Sequence, residues 1–283
     1  RTRLQQLVLH ASGTEEITLN GSLWRLAING DTSRLKSVRC PFDGELLSVQ
    51  LELNGGEFCI RGLEKLRDLR IFSQRGEYID LACVAASFPN LREIFINAQG
   101  GTLKNIDALA KFKHLKDVWL SDVYGFGRFP TRAQLPHLKR LWLWSAPKSA
   151  CEAARAQFKD IENFAVRQPR SKQWLAANLN NPLRGWDGRE GVSAATAKKA
   201  MKAYIDAHKK LSALEAKPAR DELKTEKTEI LKEFIAVFNA IDAKHSIDTM
   251  EREEIWEAFC KLAKLAAMDT KAQDAIWETN AEF

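Results

Sequence analysis

A repeating apolar pattern constrains this chain more than any other feature of its sequence. The pattern has the frame apolar-x-x-apolar-x-apolar, where x is any residue. Its eight copies begin 19, 23, 20, 25, 24, 23 and 23 residues apart, at Leu4, Leu23, Leu46, Leu66, Leu91, Leu115, Leu138 and Ile161. Chance supplies one or two such frames in a leucine-rich chain. A series at near-constant spacing instead indicates stacked copies of one structural unit.

The later copies share a second mark, an apolar residue three positions before the frame, at Leu63, Phe88, Phe112, Leu135 and Phe158. With this mark, the sequence resembles the leucine-rich-repeat family over about residues 1–168, most closely from Leu63 to Val166. It departs from the family at six positions where an inward asparagine is expected. Those positions hold Ser12, Asp31, Gln74, Gln99, Val123 and Ala146.

The resemblance implies an α/β fold, a leucine-rich-repeat solenoid of about eight irregular units with one short strand in each. A single unit cannot bury its own apolar stripe, whereas stacked units bury each other's. The strands are then expected to form a curved parallel sheet with a concave face. The missing asparagine questions the regularity of the turns and leaves this architecture unchanged.

Side chains alternate along a strand, so the apolar frame residues are expected to point inward and the residues between them outward. The central outward column is Val8, Ala27, Gln50, Arg70, Phe95, Trp119, Trp142 and Ala165. The next column is His10, Asn29, Glu52, Phe72, Asn97, Ser121, Trp144 and Arg167. These columns predict one exposed aromatic patch made of Phe72, Phe95, Trp119, Trp142 and Trp144.

Exposed contiguous aromatic residues usually mark an interface, and Trp and Arg are typical hot-spot residues of protein contacts. The predicted partner-binding residues are Arg70, Phe72, Arg92, Phe95, Trp119, Arg140, Trp142 and Trp144. Two alternatives remain open at this point. A helical extension could cover the aromatic residues, and a one-residue register shift would turn them inward. The Leu, Val and Ile residues at the alternate positions argue against that shift.

The repeat fades after Val166, and the sequence then predicts helices. We expect a leucine-rich-repeat domain over residues 1–168, a linker or cap over 169–192, and a helical bundle or arm over 193–283. Within the linker, Asp187-Gly188 is a turn signal. Trp186 is expected to close the open end of the repeat core, and Arg189 to pair locally.

Four amphipathic helices are predicted after the linker. Their starts lie near Ser193, Pro218, Asp248 and Lys271. The predicted apolar face of the first helix is Ala197, Met201, Tyr204, His208 and Leu211. That of the second helix is Leu223, Ile230, Phe234, Val237, Phe238 and Ile241. That of the third helix is Ile255, Phe259, Leu262 and Ala266. Asp248 and Glu251 resemble a capping box. The acidic residues of the third helix are expected to form a solvated face: Glu251, Glu253, Glu254 and Glu257.

No motif for catalysis or cofactor binding is recognisable. The sequence contains no G-x-x-x-x-G-K-[ST] phosphate loop and no H-E-x-x-H zinc motif. Some bacterial effectors join leucine-rich repeats to a helical ubiquitin-ligase domain with a catalytic C-x-D motif, which is absent at Cys260. The five cysteines form no CxxC pair, and they are expected to be buried and reduced in a cytoplasmic protein. We therefore predict a protein that is not an enzyme and has no cofactor or metal.

The net charge of +6 belongs entirely to the repeat half, in which 24 Lys and Arg face 18 Asp and Glu. Predicted concave positions hold eight basic residues, Arg25, Arg67, Arg70, Arg92, Lys116, Lys139, Arg140 and Arg167. They also hold five acidic residues, Glu52, Asp68, Glu93, Asp117 and Glu162. This balance predicts a protein partner with a modestly acidic surface, and the interleaved acids disfavour nucleic acid. The longest stretch without Asp, Glu, Lys or Arg is 11 residues, which is too short to span a membrane.

These features favour a non-enzymatic binding protein. Among bacterial proteins of this kind, the most fitting role is an immunity protein, an antitoxin that sterically blocks a cognate toxin or effector domain. It would act as a monomer or as a heterodimer with its target. The alternative is an intracellular adaptor or regulatory scaffold with several protein partners. Nucleic-acid binding and an unrecognised enzyme are weaker hypotheses, because fold alone does not determine function.

Overall fold

A computed structural model of the 283-residue chain describes residues 5–21, 23–53, 59–73, 77–215 and 221–283. The chain divides into two compact units, Arg1–Lys172 and Gln173–Phe283. The first unit is α/β and contains a large sheet, and the second is helical. Three positions used in the sequence predictions lie outside the described residues: Leu4, Gln74 and Pro218.

Eight parallel strands form one sheet in the first unit and follow each other in the sheet in chain order. They are β1 (Gln6–His10), β3 (Arg25–Asn29), β5 (Ser48–Leu53), β6 (Asp68–Ser73), β8 (Glu93–Asn97), β10 (Asp117–Ser121), β11 (Arg140–Trp144) and β12 (Asn163–Arg167). Each strand carries the second and third positions of one of the eight apolar frames, and equivalent positions pair across the sheet, as Val118 does with Leu141. The predicted parallel sheet is therefore confirmed.

The connections between these strands contain short elements. Two further parallel pairs are formed by β2 (Glu16–Thr18) with β4 (Ser37–Arg39), and by β7 (Tyr78–Asp80) with β9 (Thr102–Lys104). The helices are α1 (Leu81–Ser87) and α2 (Lys148–Phe158), with 3-10 turns at Pro41–Gly44 and Ile106–Lys111. Helix α1 begins where the Asp80 side chain accepts a hydrogen bond from the Ala82 backbone N–H at 2.8 Å, which satisfies one of the free donors of the first turn.

The apolar frames fill one continuous core in this unit. From β3 to β11, the second and third positions of every frame are at most 2% exposed: Leu26, Ile28, Val49, Leu51, Leu69, Ile71, Ile94, Ile96, Val118, Leu120, Leu141 and Leu143. The preceding apolar positions Leu63, Phe88, Phe112, Leu135 and Phe158 are also buried. Each such side chain contributes about 1.5–3 kcal/mol by leaving water. Burial of these side chains is therefore a major source of stability in the first unit.

One frame position departs from the prediction. Leu46 was expected to point inward, but its side chain is 67% exposed, and Leu47 is buried in its place. The preceding turn is distorted, with positive φ angles at Phe42, Asp43 and Gly44. The Leu47 backbone N–H bonds to the Gly44 carbonyl at 3.0 Å, so this turn fixes Leu47 as the residue that enters the core.

Polar side chains join successive turns at the carboxyl ends of the last strands. The Tyr124 hydroxyl donates to Asp122 at 2.9 Å and lies 3.0 Å from the Ser145 hydroxyl. Arg170 donates from Nε to the same Ser145 oxygen at 2.9 Å. Asp122, Ser145 and Gln168 all have left-handed backbone conformations, with φ near 50°. These turns are thus held by a mixed polar network rather than by a repeated asparagine.

The second unit is built from helices α3 (Lys172–Asn178), α4 (Ala194–Glu215), α5 (Asp221–His245), α6 (Thr249–Leu265) and α7 (Thr270–Asn280), with a 3-10 turn at Pro182–Trp186. Four of these confirm the predicted helices. The capping box at α6 is also confirmed, since the Asp248 carboxylate accepts from the Glu251 N–H at 2.8 Å. The predicted turn at Asp187-Gly188 is present, with Gly188 at φ 89°.

The apolar faces of α4, α5 and α6 form the core of this unit. The prediction for His208 is wrong, because this side chain is exposed and Ala207 is buried instead. Ala207 lies three residues after Tyr204 and four before Leu211, so the helical period places it on the buried stripe. His208 lies at the edge of that stripe, with its ring 5.9 Å from the ring of Tyr204.

Trp186 was expected to close the repeat core, and this prediction is wrong. Its side chain is completely buried in the core of the helical unit, where its ring lies 6.0 Å from that of Phe238. Arg189 does not pair locally either. Its guanidinium bonds to Glu254 of α6 at 2.6 Å. Residues 182–189 are therefore an integral part of the helical fold.

The acidic start of α6 is not simply a solvated face, as the sequence suggested. Glu251 is only 3% exposed, and both of its carboxylate oxygens lie 3.0 Å from Nε2 of His245. Glu254 is half-buried, while Glu253 and Glu257 are exposed. Glu251 and Glu254 thus make contacts within the helical unit, because they lie on the side of α6 that faces the rest of this unit.

Candidate protein-binding face

The outward side chains of the central strands form three rows, because equivalent residues pair across the parallel sheet. One row, the acidic row, consists of Asp68, Glu93 and Asp117, and continues into Arg140. The next, the aromatic row, consists of Phe95, Trp119 and Trp142, with Arg70 at one end. The third row contains Phe72, Asn97, Ser121 and Trp144. Together, the three rows are the outward face.

The aromatic row is a continuous series of ring contacts. Trp119 and Trp142 are stacked, with ring centroids 4.9 Å apart and planes only 12° from parallel. Phe95 meets Trp119 edge-on at 6.0 Å, and Phe72 of the third row lies 5.4 Å from Phe95. Such pairs contribute about 0.5–1.5 kcal/mol each beyond their burial. The strand register therefore assembles a rigid aromatic surface from four separate strands.

The five predicted aromatic residues lie on one face, but they are not equally exposed. Trp142 and Trp144 are exposed, at 36% and 47%, whereas Phe72, Phe95 and Trp119 are half-buried. Mutual stacking covers part of each ring, which explains the lower exposure of the central residues. The residues predicted to form one exposed patch therefore lie together, but only two of them are exposed. Ala27, which was predicted to point outward in the central column, is buried.

Hydrogen bonds fix the two exposed indoles. Trp142 donates from Nε1 to Asn163 at 3.0 Å, and Trp144 donates from Nε1 to Gln168 at 3.1 Å. Nε1 of Trp119 is buried and has no acceptor among the residues that the structure describes. The rotamers of Trp142 and Trp144 are thus set before any partner binds, which lowers the entropy lost on association.

The acidic row carries more negative charge than its single guanidinium balances. The Arg140 guanidinium donates two hydrogen bonds to Asp117, from Nε to Oδ1 at 2.5 Å and from Nη2 to Oδ2 at 2.6 Å. Its Nη2 also lies 3.8 Å from Oε1 of Glu93. Asp68 accepts a bond from the Ser48 hydroxyl at 2.7 Å. Asp117 is only 6% exposed, contrary to its predicted outward exposure, because Arg140 covers it.

The environment of Glu93 disfavours its charge. Partial burial raises the pKa of this carboxyl, and the neighbouring carboxylates Asp117 and Asp68 raise that pKa further. Arg140 lowers it, but does not offset the other effects. A positive charge placed beside Glu93 would therefore be attracted both by the carboxylate itself and by the relief of this repulsion.

Half of the predicted concave basic residues lie elsewhere. Arg67, Arg92, Lys116 and Lys139 come directly before the strands and are linked by successive backbone hydrogen bonds of 2.8 Å, so they form a separate row, the basic rim. Arg67 pairs with Glu45, and Lys139 with Glu162 at 2.6 Å. Of the residues predicted at concave positions, four basic ones lie within strands, namely Arg25, Arg70, Arg140 and Arg167. Four acidic ones also do, namely Glu52, Asp68, Glu93 and Asp117. Arg92 was expected at a concave strand position next to the aromatic patch, and it lies on this rim, directly before β8.

The predicted site residues thus separate into three groups. The aromatic ones and Arg70 lie together on the outward face, Arg140 is engaged by the acidic row, and Arg92 lies on the basic rim. Sequence reasoning missed the acidic row as a unit. The signal was present, since Asp68, Glu93 and Asp117 stand at the same offset in three successive frames.

The described residues contain no group of three or more His, Cys, Asp or Glu side chains arranged to hold a metal ion. All five cysteines are free thiols. Cys59 is exposed, contrary to expectation, whereas burial raises the pKa of Cys151 to about 11. Within the described part of the chain, no helix has both the length and the apolar character needed to cross a membrane.

Comparisons with known proteins identify no relatives. No protein-family model matches this chain, and neither curated proteins nor solved structures give a significant match.

Proposed function

We propose that this chain is a non-enzymatic binding protein that grips another protein with its outward face. In this proposal, the first unit is a leucine-rich-repeat solenoid, and the outward face is its concave surface. The eight apolar frames and the in-register parallel sheet support that architecture. The proposed biological role is that of an immunity protein, which neutralises a bacterial toxin by covering its active cleft.

The observation that carries the binding proposal is the set of fixed aromatic side chains on the outward face. Soluble proteins rarely leave stacked tryptophans exposed without a use for them. Here Trp142 and Trp144 are exposed and held by Asn163 and Gln168. Pre-set aromatic side chains of this kind supply large contact areas at low entropic cost, which is the property of binding hot spots.

The charge distribution favours a protein over a nucleic acid as the partner. Stacked aromatic residues could also hold bases, but Glu93 and Asp117 lie one row away and would repel phosphates. The expected acidic surface of a protein partner would instead contact the basic rim. There, Arg92 and Lys116 make no ion pair with any residue that the structure describes.

The immunity role is supported by the resemblance and by what steric blocking requires. An inhibitor of this kind needs only a complementary surface, and no catalytic group of its own. The experiment is co-expression with the product of an adjacent gene, followed by co-purification and measurement of that product's toxicity. We expect a stable complex and rescue of growth.

The outward face is tested in that complex with single variants. Trp142→Ala and Trp144→Ala should each weaken binding by about 2 kcal/mol or more. Phe42→Ala is the control, since Phe42 is 63% exposed and lies in the turn Pro41–Gly44, between β4 and β5. Equal affinities for all three variants would refute the use of this face. If distinct partners instead bind the separate helical unit, the adaptor role replaces immunity.

A further inference from the structure

We propose that the outward face recognises an arginine or lysine side chain of its protein partner, held between the acidic row and the aromatic row. This inference rests on the proposed binding function and adds the chemistry of the partner at the centre of the face. It also separates two parts of the partner, a basic side chain at the outward face and an acidic surface at the basic rim.

The spacing of the two rows suits a long cationic side chain. Glu93 and Phe95 are two residues apart on β8, as are Asp117 and Trp119 on β10, so each pair projects from one face about 7 Å apart along the strand. Neighbouring strands are about 4.8 Å apart. A cation resting on the Phe95 and Trp119 rings would therefore lie within reach of the carboxylate of Glu93.

Cationic groups bind well to both kinds of surface. Aromatic faces attract ammonium and guanidinium groups through the negative potential above the ring. Guanidinium groups also pair with carboxylates through two hydrogen bonds. The rings next to Glu93 and Asp117 are those of Phe95 and Trp119, whereas the exposed ring of Trp142 lies two residues after Arg140 on β11. The two rows thus offer a cation an aromatic contact and a charge contact at the same place.

The charge balance of the acidic row leaves room for one more cation. Three carboxylates face two guanidinium groups, that of Arg140, which is committed to Asp117 by two short bonds, and that of Arg70, which lies two residues after Asp68 on β6. Glu93 keeps only a 3.8 Å contact with Arg140, and its side chain is 53% exposed. Partial burial is the main cause of the raised pKa of Glu93, and the neighbouring carboxylates Asp117 and Asp68 raise it further. A glutamate or a phosphate at this position would instead add to the repulsion.

The test uses peptides of defined chemistry and the indole N–H resonances of the full chain. The probes are five-residue peptides of glycine and serine with a central arginine, citrulline or glutamate. Citrulline has the shape of arginine without its charge, so it isolates the electrostatic contribution. The Nε1–H resonances of Trp119 and Trp142 are assigned with Trp→Phe variants. We expect saturable shifts of these two resonances, with the arginine peptide binding at least about fivefold more tightly than the citrulline peptide.

Glu93→Gln provides the matched variant test, because it keeps the shape of the side chain and removes its charge. It should weaken binding of the arginine peptide about three- to tenfold and leave the citrulline peptide unaffected. Glu162→Gln is the control, since Glu162 is an exposed carboxylate that pairs with Lys139 next to the basic rim. Thermal unfolding confirms that both variants are folded.

Three outcomes would overturn the inference: equal binding of the arginine and citrulline peptides, tighter binding of the glutamate peptide, or no shift by any peptide at about 10 mM. These are distinguishable from failure of the proposed function. If Trp142→Ala weakens a purified complex while Glu93→Gln does not, the face binds protein but does not select a cation. If no tryptophan variant weakens the complex, the face itself is not the binding site.

Discussion

The indole N–H of Trp186 donates a hydrogen bond to the carboxylate of Glu254, 68 residues further along the chain, at 2.7 Å. The same carboxylate accepts a bond from Arg189 at 2.6 Å. One side chain of α6 therefore satisfies two donors of the segment that follows α3. This contact fixes an irregular stretch of chain to the helices of its unit.

Replacing Glu254 with alanine should destabilise the helical unit by about 2 kcal/mol, because the buried Trp186 N–H and the Arg189 guanidinium would lose their acceptor. The measurement is urea unfolding of the full chain followed by far-UV circular dichroism. Glu253→Ala is the matched control on the neighbouring, exposed position and should change stability by less than about 0.5 kcal/mol. Equal effects of the two variants would show that Glu254 has no special role.

The Arg140–Asp117 pair should be important for the stability of the sheet. Arg140→Met leaves the buried Asp117 carboxylate without its guanidinium, and we expect a loss of about 1–2 kcal/mol after allowing for the partial solvent exposure of Arg140. The double variant Arg140→Met/Asp117→Asn should recover part of this loss, because it also removes the buried charge. Chemical denaturation of the single and double variants measures the coupling. Additive losses would contradict a specific pair.

Glu93 predicts a distinct pH dependence of stability. Its pKa is raised in the folded state, so its favourable contribution is complete below the ordinary glutamate pKa of 4.5 and is lost as the pH rises through the folded-state pKa. The permanently neutral variant Glu93→Gln should therefore have a higher Tm than the parent chain at neutral pH. The difference should shrink on acidification below pH 4.5. A Tm gap that widens in acid would reverse the assigned sign.

Thiol chemistry should distinguish the cysteines of the first unit. Cys59 is exposed, whereas Cys151 is buried and its pKa is raised to about 11, so its reactive thiolate is scarce. Iodoacetamide at mildly alkaline pH should modify Cys59 first and Cys151 only after unfolding. Peptide mapping by mass spectrometry measures both rates. Simultaneous modification of the two thiols in the native chain would contradict the burial of Cys151.

The sheet was predictable because its periodicity is carried by many residues at once. A frame such as Leu138-Leu141-Leu143 can bury its apolar side chains only in one register, and seven other frames repeat the same constraint. Leu46 could not be placed in this way, because the distorted turn Pro41–Gly44 decides which leucine enters the core. Such backbone detail is not encoded in the spacing of apolar residues.

The candidate site was predictable at the level of rows but not of contacts. Equivalent frame offsets brought Phe95, Trp119 and Trp142 together, since register alone determines which residues are neighbours. Whether Arg140 faces a partner or covers Asp117 depends on the rotamer of one long side chain. The role of Trp186 was also missed, because its hydrogen-bond acceptor Glu254 lies 68 residues further along the sequence. Contacts of long range in sequence leave no local pattern.

The separation of inward and outward rows has an evolutionary consequence. Val118 and Leu141 lie on the same strands as Trp119 and Trp142. The first two side chains point into the core, whereas the two tryptophans stack on the outward face. Single substitutions at outward positions that make no buried ion pair, such as Trp144, can therefore change the exposed surface without altering the apolar core. During evolution, single substitutions on such a sheet could adapt its exposed surface to a binding partner that itself changes.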